Sequence, residues 1–154
     1  MPLPSAPHGL YFEEFQIGQQ IPTAERTVTE NDVVTFAGLS GDFNPIHMDA
    51  EFSRSTPYGQ RVAHGLLCLS IISGLAMHTG PLEGTVLALR EIKDWKFTRP
   101  VHLGDSIHAE LEVTGTKALP RLGSGLVTLA LTIKNQFDQV VMKGVWTALV
   151  MNKP

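Results

Sequence analysis

The segment Gly65–Met77 constrains the fold of this 154-residue chain more than any other stretch. It reads GLLCLSIISGLAM, carries no charge, and its apolar side chains would cover every face of a helix. Leu, Met and Ala favour helix over strand, and Gly80-Pro81 ends the segment. It is too short for the roughly 20 residues that a membrane span needs. We therefore predict a helix from about His64 to His78 that is buried on all sides.

Four extended segments follow this helix, separated by turn-forming glycine, proline and polar residues. They are Val86–Val101, Asp105–Leu119, Gly125–Phe137 and Val140–Met151, and a shorter extended stretch lies at Gln20–Thr29. Within the second segment apolar and polar residues alternate, as in a strand with one buried face. An apolar helix needs a sheet that curves around it. The prediction is an α+β fold with a curved, mostly antiparallel sheet of about five or six strands wrapped around the central helix.

The first part of the chain predicts a second, shorter helix. Thr29 is a suitable N-cap, with Asp32 as an acidic third residue, and Gly41 is a suitable stop. The polar stretch between His47 and Val62 predicts a loop that can include a turn of helix. Met1–Gly9, with three prolines, predicts a loose N-terminal arm. No second core is evident, so we expect residues 1–154 to form a single domain.

Composition excludes several classes of protein. A net charge of −3, from 12 basic and 15 acidic residues, gives no electrostatic basis for nucleic-acid binding. No run of like charges predicts contact with a membrane surface, and no secretory signal is visible at the start. Cys68 is the only cysteine, which excludes an internal disulfide and a multi-cysteine zinc site. We expect a cytoplasmic protein, and Cys68 as a core residue.

The stretch GDFNPIH, Gly41–His47, places an acid near a histidine. Asn44 precedes Pro45 and is therefore pushed out of the helical region, so Asp42 and His47 lie on a restricted bend. Such a bend can direct both side chains to one place, where a histidine and a carboxylate can share proton transfer. It can equally be a turn whose Asp and Asn bond nearby backbone amides. The stretch by itself leaves both interpretations open.

The apolar helix begins at His64-Gly65. The first amides of a helix have no internal partner, and the helix dipole makes that end electropositive. Because glycine lets a ligand atom approach closely, the amide of Gly65 could stabilise a developing oxyanion. Alternatively, Gly65 only permits a tight start of the helix.

Three blocks resemble the MaoC-like family, which includes the (R)-specific enoyl-CoA hydratases. They are Ser40–His47, Arg61–Leu67, and Trp95–Val101 with Gly104-Asp105, and the resemblance extends from about Tyr11 to Val150. It implies a hot dog fold, usually in dimers whose sheets join. It also implies hydration of trans-2-enoyl thioesters to (R)-3-hydroxyacyl thioesters, or the reverse dehydration. The thioester would be carried by CoA or by an acyl carrier protein.

The resemblance assigns roles to individual residues. Asp42 and His47 match the catalytic acid-base pair, and Gly65 matches the glycine whose amide binds the thioester oxygen. The pair would activate a water that attacks C3, while charge builds on the thioester oxygen and a proton reaches C2. Which of the two residues takes the first proton is left open. The reaction needs no metal and no redox cofactor.

Other positions carry further expectations. Asn44 matches a residue that shapes the loop and holds the histidine or a water. Ser73 falls where such hydratases carry a serine near the site, and His64 is grouped with the substrate-binding residues. No histidine has an HExxH-type ligand spacing, so we expect no metal site. The candidates for phosphate contacts to CoA or a carrier protein are Arg54, Arg61, Lys93, Lys96, Arg99 and Arg121.

Two rival functions and one partner complete the expectations. The rivals are a hot dog thioesterase and a non-catalytic subunit that binds acyl thioesters. A helix wrapped by one sheet keeps an uncovered side, which a second copy of the chain would cover. We therefore expect a homodimer or a dimer of dimers.

Overall fold

The structure is a computed structural model that describes residues 9–154. Of the predicted arm, residues 1–8 lie outside the described part. Gly9 donates its backbone N–H to the carbonyl of Glu83 at 2.8 Å. The helices are α1 (Glu30–Ser40), α2 (Pro45–Met48), α3 (Ala50–Arg54) and α4 (Gly65–Met77). The strands are β1 (Gln20–Pro22), β2 (Arg26–Thr27), β3 (Val86–Phe97), β4 (Ser106–Leu119), β5 (Ser124–Asn135) and β6 (Val140–Met151).

All six strands belong to one sheet. Its order is β1-β4-β5-β6-β3, with β2 also paired to β4. The pairings are antiparallel. Gly123 (φ 59°) and Asp138 (φ 60°) adopt left-handed conformations between β4 and β5 and between β5 and β6. This confirms the predicted antiparallel sheet and the α+β class, in which a helix packs on the sheet.

Helix α4 packs its buried residues against one face of this sheet. Every second residue along most of β5 is buried, as expected for a strand with one face on the core. The helix contributes Leu67, Cys68, Ile72 and Ala76 to that core. However, Leu66 is 62% and Met77 41% exposed. Burial on all sides is therefore not reached within the single chain, because the sheet covers only one side; the helix keeps the uncovered side that was expected of it.

Local capping explains α1. The hydroxyl of Thr29 accepts the Asp32 N–H at 3.1 Å, and the Asp32 carboxylate accepts the Thr29 N–H at 2.9 Å. Gly41 ends the helix with φ 80°. All three residues act as predicted. The following stretch contains two short helices, more than the turn that was predicted, because Asn44 and Asp49 cap α2 and α3 with their side chains.

Strand β3 lies at one edge of the sheet. It pairs with β6 through three register shifts, and no described strand pairs with its other side. Leu87, Leu89 and Ile92 are 53%, 48% and 42% exposed on it. No helix in the described part of the chain is long and apolar enough to cross a membrane.

Candidate active site

His47 lies on α2, next to the Pro45 that starts this helix. Its side chain is buried, 7% exposed, and its Nδ1 is 2.7 Å from the carbonyl oxygen of Val62. At that distance Nδ1–H donates to the carbonyl, so in the neutral ring Nε2 carries no proton. The lone pair of Nε2 is therefore available to accept a proton.

Asp42 faces this nitrogen from the bend that precedes α2. Its Oδ2 lies 4.0 Å from Nε2 of His47, and its side chain is 51% exposed. Its Oδ1 accepts the backbone N–H of Asn44 at 3.2 Å. Asn44 is extended (φ −52°, ψ 132°), as expected before a proline. The stretch is therefore a turn, and it also brings the carboxylate close to the imidazole.

Burial is the main influence on the pKa of His47. It lowers this pKa below its ordinary value, and the neighbouring imidazole of His64 acts in the same direction. The hydrogen bond to Val62 and the charge of Asp42 oppose the shift without reversing it. The neutral ring, which can act as a base, is therefore favoured at neutral pH.

His64 contacts both members of this pair. Its Nε2 is 2.9 Å from the backbone carbonyl of Asp42. Its ring stacks on that of His47, with centroids 3.8 Å apart and planes at 28°, and the ring of Phe36 meets it edge-on at 4.9 Å. His64 is predicted to bind substrate, but it is 2% exposed and does not line the cavity described below. The structure places it behind the pair instead.

Gly65 is the first residue of α4, and no side chain caps this N-terminus. Its amide is thus one of the helix-end donors without an intrahelical partner. A Cβ built at Gly65 would lie 2.7 Å from Cε1 of Phe97. A side chain at position 65 would therefore displace this ring, whether or not a ligand approaches the glycine.

A cavity of about 570 Å³ connects His47 and Gly65. This volume is within the range of small-molecule sites. The other lining residues are Ile46, Tyr58, Val62, Ala63, Leu66, Cys68, Phe97, Thr98, Arg99, Pro100, Val101 and Met142. The wall is mostly apolar, and its polar elements are the imidazole, the start of α4 and the side chains of Tyr58, Thr98 and Arg99. Such a wall suits a ligand with an apolar part and a polar or anionic group.

Cys68 borders this cavity but is 1% exposed. Burial raises the pKa of its thiol to about 12. The thiol stays protonated at neutral pH and is a poor nucleophile. Cys68 is a core residue, as predicted.

Asn44 and Ser73 act differently from the catalytic pair. The Asn44 side chain accepts the Ile46 N–H at 3.3 Å and so caps α2, which agrees with a loop-shaping role. Its side chain forms no hydrogen bond to His47, whose N–H donates to the backbone carbonyl of Asn44 at 2.9 Å. Ser73 is exposed and donates to the Ser70 carbonyl at 2.7 Å. Lying about 12 Å along α4 from Gly65, it is not brought to the cavity within one chain.

Arg61 has a role that the sequence did not predict. Its Nε donates to the His47 carbonyl and its Nη1 to the Glu30 carboxylate, both at 2.6 Å. The guanidinium thus ties α2 to α1 and is not free for a phosphate. Arg54 pairs with Glu51 at 3.0 Å. In the described part of the chain, Arg99 is the predicted phosphate contact that lines the cavity.

Asp42, His47 and His64 each offer a possible metal-ligating atom, all within 4.8 Å of one another. Imidazole lone pairs lie in the ring planes, and two planes inclined at 28° and stacked 3.8 Å apart intersect several ångströms from both rings. A zinc ion must lie about 2.0–2.1 Å from each nitrogen. The two rings therefore do not aim at one ion position.

The geometry places this chain in a class of proteins that has a histidine–aspartate pair beside the N-terminus of a sheet-covered helix. Residues 14–134 match the family described as MaoC like domain, and the chain belongs to that family. The (R)-specific enoyl-CoA hydratase of Rhodospirillum rubrum is 36% identical over 105 residues, which are 68% of this chain and 70% of that protein.

Solved structures show the fold. The X-ray structure of the monoamine oxidase regulatory protein from Archaeoglobus fulgius is 41% identical, with a TM-score of 0.87, and the match covers 95% of this chain and 97% of that one. A Mycobacterium tuberculosis protein with a double hotdog fold has a TM-score of 0.84 at 21% identity, covering 96% of this chain and 46% of that one. The expected hot dog fold is confirmed.

Proposed function

We propose that the protein is a hydro-lyase that adds water to trans-2-enoyl thioesters to give (R)-3-hydroxyacyl thioesters, or catalyses the reverse. The observation that carries the proposal is that His47 lines the same cavity as Gly65, while its Nε2 lies 4.0 Å from the carboxylate of Asp42. The hydratase relatives within the family support the reaction class.

The chemistry requires a base, an acid and a site for negative charge. Conjugation makes C3 of the enoyl thioester electrophilic, but neutral water attacks it poorly. Two groups 4.0 Å apart can both reach one water molecule. The pair removes one proton as the water oxygen bonds to C3, and it returns one proton to C2. The net change is one water added across the double bond.

Negative charge builds on the thioester oxygen during the attack. The amide of Gly65, at the electropositive end of α4, is the donor proposed to stabilise it. The carrier, CoA or an acyl carrier protein, would extend out of the cavity past Arg99, whose guanidinium suits a phosphate. No step draws on a metal or a redox cofactor.

The proposed assembly is a homodimer, or a dimer of dimers. Two surfaces support it: the exposed side of α4, which includes Leu66 and Met77, and the exposed edge strand β3. An edge strand with apolar side chains is a template for pairing with another chain. A second copy that added its own β3 would extend the sheet and cover α4.

One assay separates the proposal from its rivals. The purified protein is mixed with trans-2-butenoyl-CoA and longer enoyl-CoAs, and the conjugated enoyl absorbance is followed together with release of free thiol. Loss of absorbance without thiol is the expected result. Thiol release would instead identify a thioesterase. If neither signal appears with CoA or carrier-protein substrates, the protein is better described as a non-catalytic subunit that binds acyl thioesters.

A further inference from the structure

The site holds two histidines, and the proposed reaction uses one. His64 is more deeply buried than His47, 2% against 7% exposed. Buried polar side chains are nearly always hydrogen-bonded. The partner of His64 is a backbone carbonyl of the acid-base pair itself, which ties its position to that of the pair.

The hydrogen bond determines where the proton of His64 lies. Nε2 is 2.9 Å from the Asp42 carbonyl oxygen, which can only accept, so Nε2–H is the donor. Nδ1 is buried and has no hydrogen-bond partner. In its neutral form His64 therefore carries its proton on Nε2.

We propose that His64 is the positioning residue of the pair. Its Nε2–H fixes the backbone at Asp42 while its ring, stacked at 3.8 Å, fixes the imidazole of His47. Both restraints start from the N-cap of α4, the longest helix of the fold. The inference rests on the proposed function, in which Asp42 and His47 share the proton transfer.

The stack also affects protonation. Two imidazolium ions 3.8 Å apart would repel each other, so His64 helps to keep His47 neutral. The other charged groups that face His47 are the Asp42 carboxylate, which raises its pKa, and Arg61, which bonds its carbonyl. The charge of Arg61 is balanced by Glu30. Replacing His64 removes the imidazole that opposes protonation of His47.

Two variants separate the two restraints. His64→Gln keeps an N–H donor without the stacked ring, and His64→Phe keeps a flat ring without the donor. Each should lower kcat for enoyl-CoA hydration by about 10- to 100-fold, less than loss of the whole acid-base contribution, with KM nearly unchanged. The matched control is His78→Gln, since Nδ1 of His78 also bonds a backbone carbonyl, that of Gly74 at 2.6 Å, but at the other end of α4. Its kcat should equal that of the wild type.

Histidine NMR provides a readout that does not depend on activity. In the wild-type protein, ¹⁵N–¹H correlations should show His47 protonated on Nδ1 and His64 on Nε2. In His64→Phe the titration midpoint of His47 should move to higher pH. If wild-type protein hydrates no thioester, the proposed function fails, while these spectra still test the positioning role. The opposite tautomer at His64 would overturn the inference, as would wild-type kcat and an unshifted His47 midpoint in both variants.

Discussion

The ring of Phe97 lies against the α-carbon of Gly65, close enough that a Cβ at position 65 would be 2.7 Å from its Cε1 atom. Phe97 is the last residue of β3, and Gly65 is the first of α4. The edge strand and the proposed oxyanion donor therefore meet at the cavity. A larger residue at position 65 would press on the Phe97 ring, in addition to hindering any approach of the thioester oxygen.

This contact predicts a suppressor relationship. Gly65→Ala should lower kcat by about 10- to 100-fold, because a contact of 2.7 Å forces the ring and the first turn of α4 apart. Phe97→Ala, which removes the clashing ring, should recover part of that loss in the double variant. Steady-state kinetics of the four proteins form a double-mutant cycle. Losses that simply multiply would show that the ring is not the cause.

The acid-base pair predicts large rate effects without loss of fold. Asp42→Asn and His47→Gln should each lower kcat by about 10²- to 10⁴-fold, since each removes a proton acceptor. The double variant should be little worse than either single one, because the pair acts as a unit. Circular dichroism and thermal melts should stay near wild type. The control is Asp49→Asn, which keeps the side-chain cap of α3 and lies outside the cavity. Unchanged rates in the Asp42 and His47 variants would refute the assignment.

The lowered pKa of His47 predicts the pH dependence of activity. The neutral ring is the proposed base, and burial depresses its pKa, so kcat/KM should fall on the acid side with a midpoint below the ordinary histidine value of about 6.5. A profile from pH 5 to 8 measures this midpoint. An acid limb centred above 6.5 would contradict it.

The same shift has a consequence for stability. Because the folded-state pKa is depressed, the unfolded chain binds the proton more readily. The contribution of His47 to the free energy of unfolding is fully present above about pH 6.5. It is lost as the pH falls through the folded-state pKa. Denaturant unfolding at several pH values should show that the free energy of unfolding falls less at acid pH in His47→Gln than in the wild type. Equal pH dependence in the two proteins would exclude this group as a cause.

The β3 edge predicts the effect of a surface charge on assembly. Sedimentation should show a dimer or tetramer for the wild type, and Leu89→Glu should shift it toward monomer, because the charge would be buried at the new strand pair. Leu122→Glu is the matched control, since Leu122 is also exposed, 62% against 48%, but lies outside β3 and α4. A monomeric wild type, or identical behaviour of the two variants, would argue against pairing through β3.

Local signals in the sequence were sufficient for most of the fold. The cap at Thr29, the stop at Gly41 and the alternation in the later segments act over a few residues, so the helix α1 and strands β4 to β6 appear close to their predicted bounds. Helices α2 and α3 were not predicted because four or five residues are too few to show a helical period. Their side-chain caps, and Arg61 bonding back to α2, make them stable.

The local sequence was sufficient to predict the bend that carries Asp42 and His47, because Pro45 restricts the backbone of its neighbour. It also determined the family and the apolar helix that begins at Gly65. The hydrogen bond between Nδ1 of His47 and the Val62 carbonyl, and the stacking of His64 on His47, became visible in the folded chain. The difference lies in sequence separation. Caps and turns depend on adjacent residues, whereas the orientation of the His47 ring depends on Val62, 15 positions away.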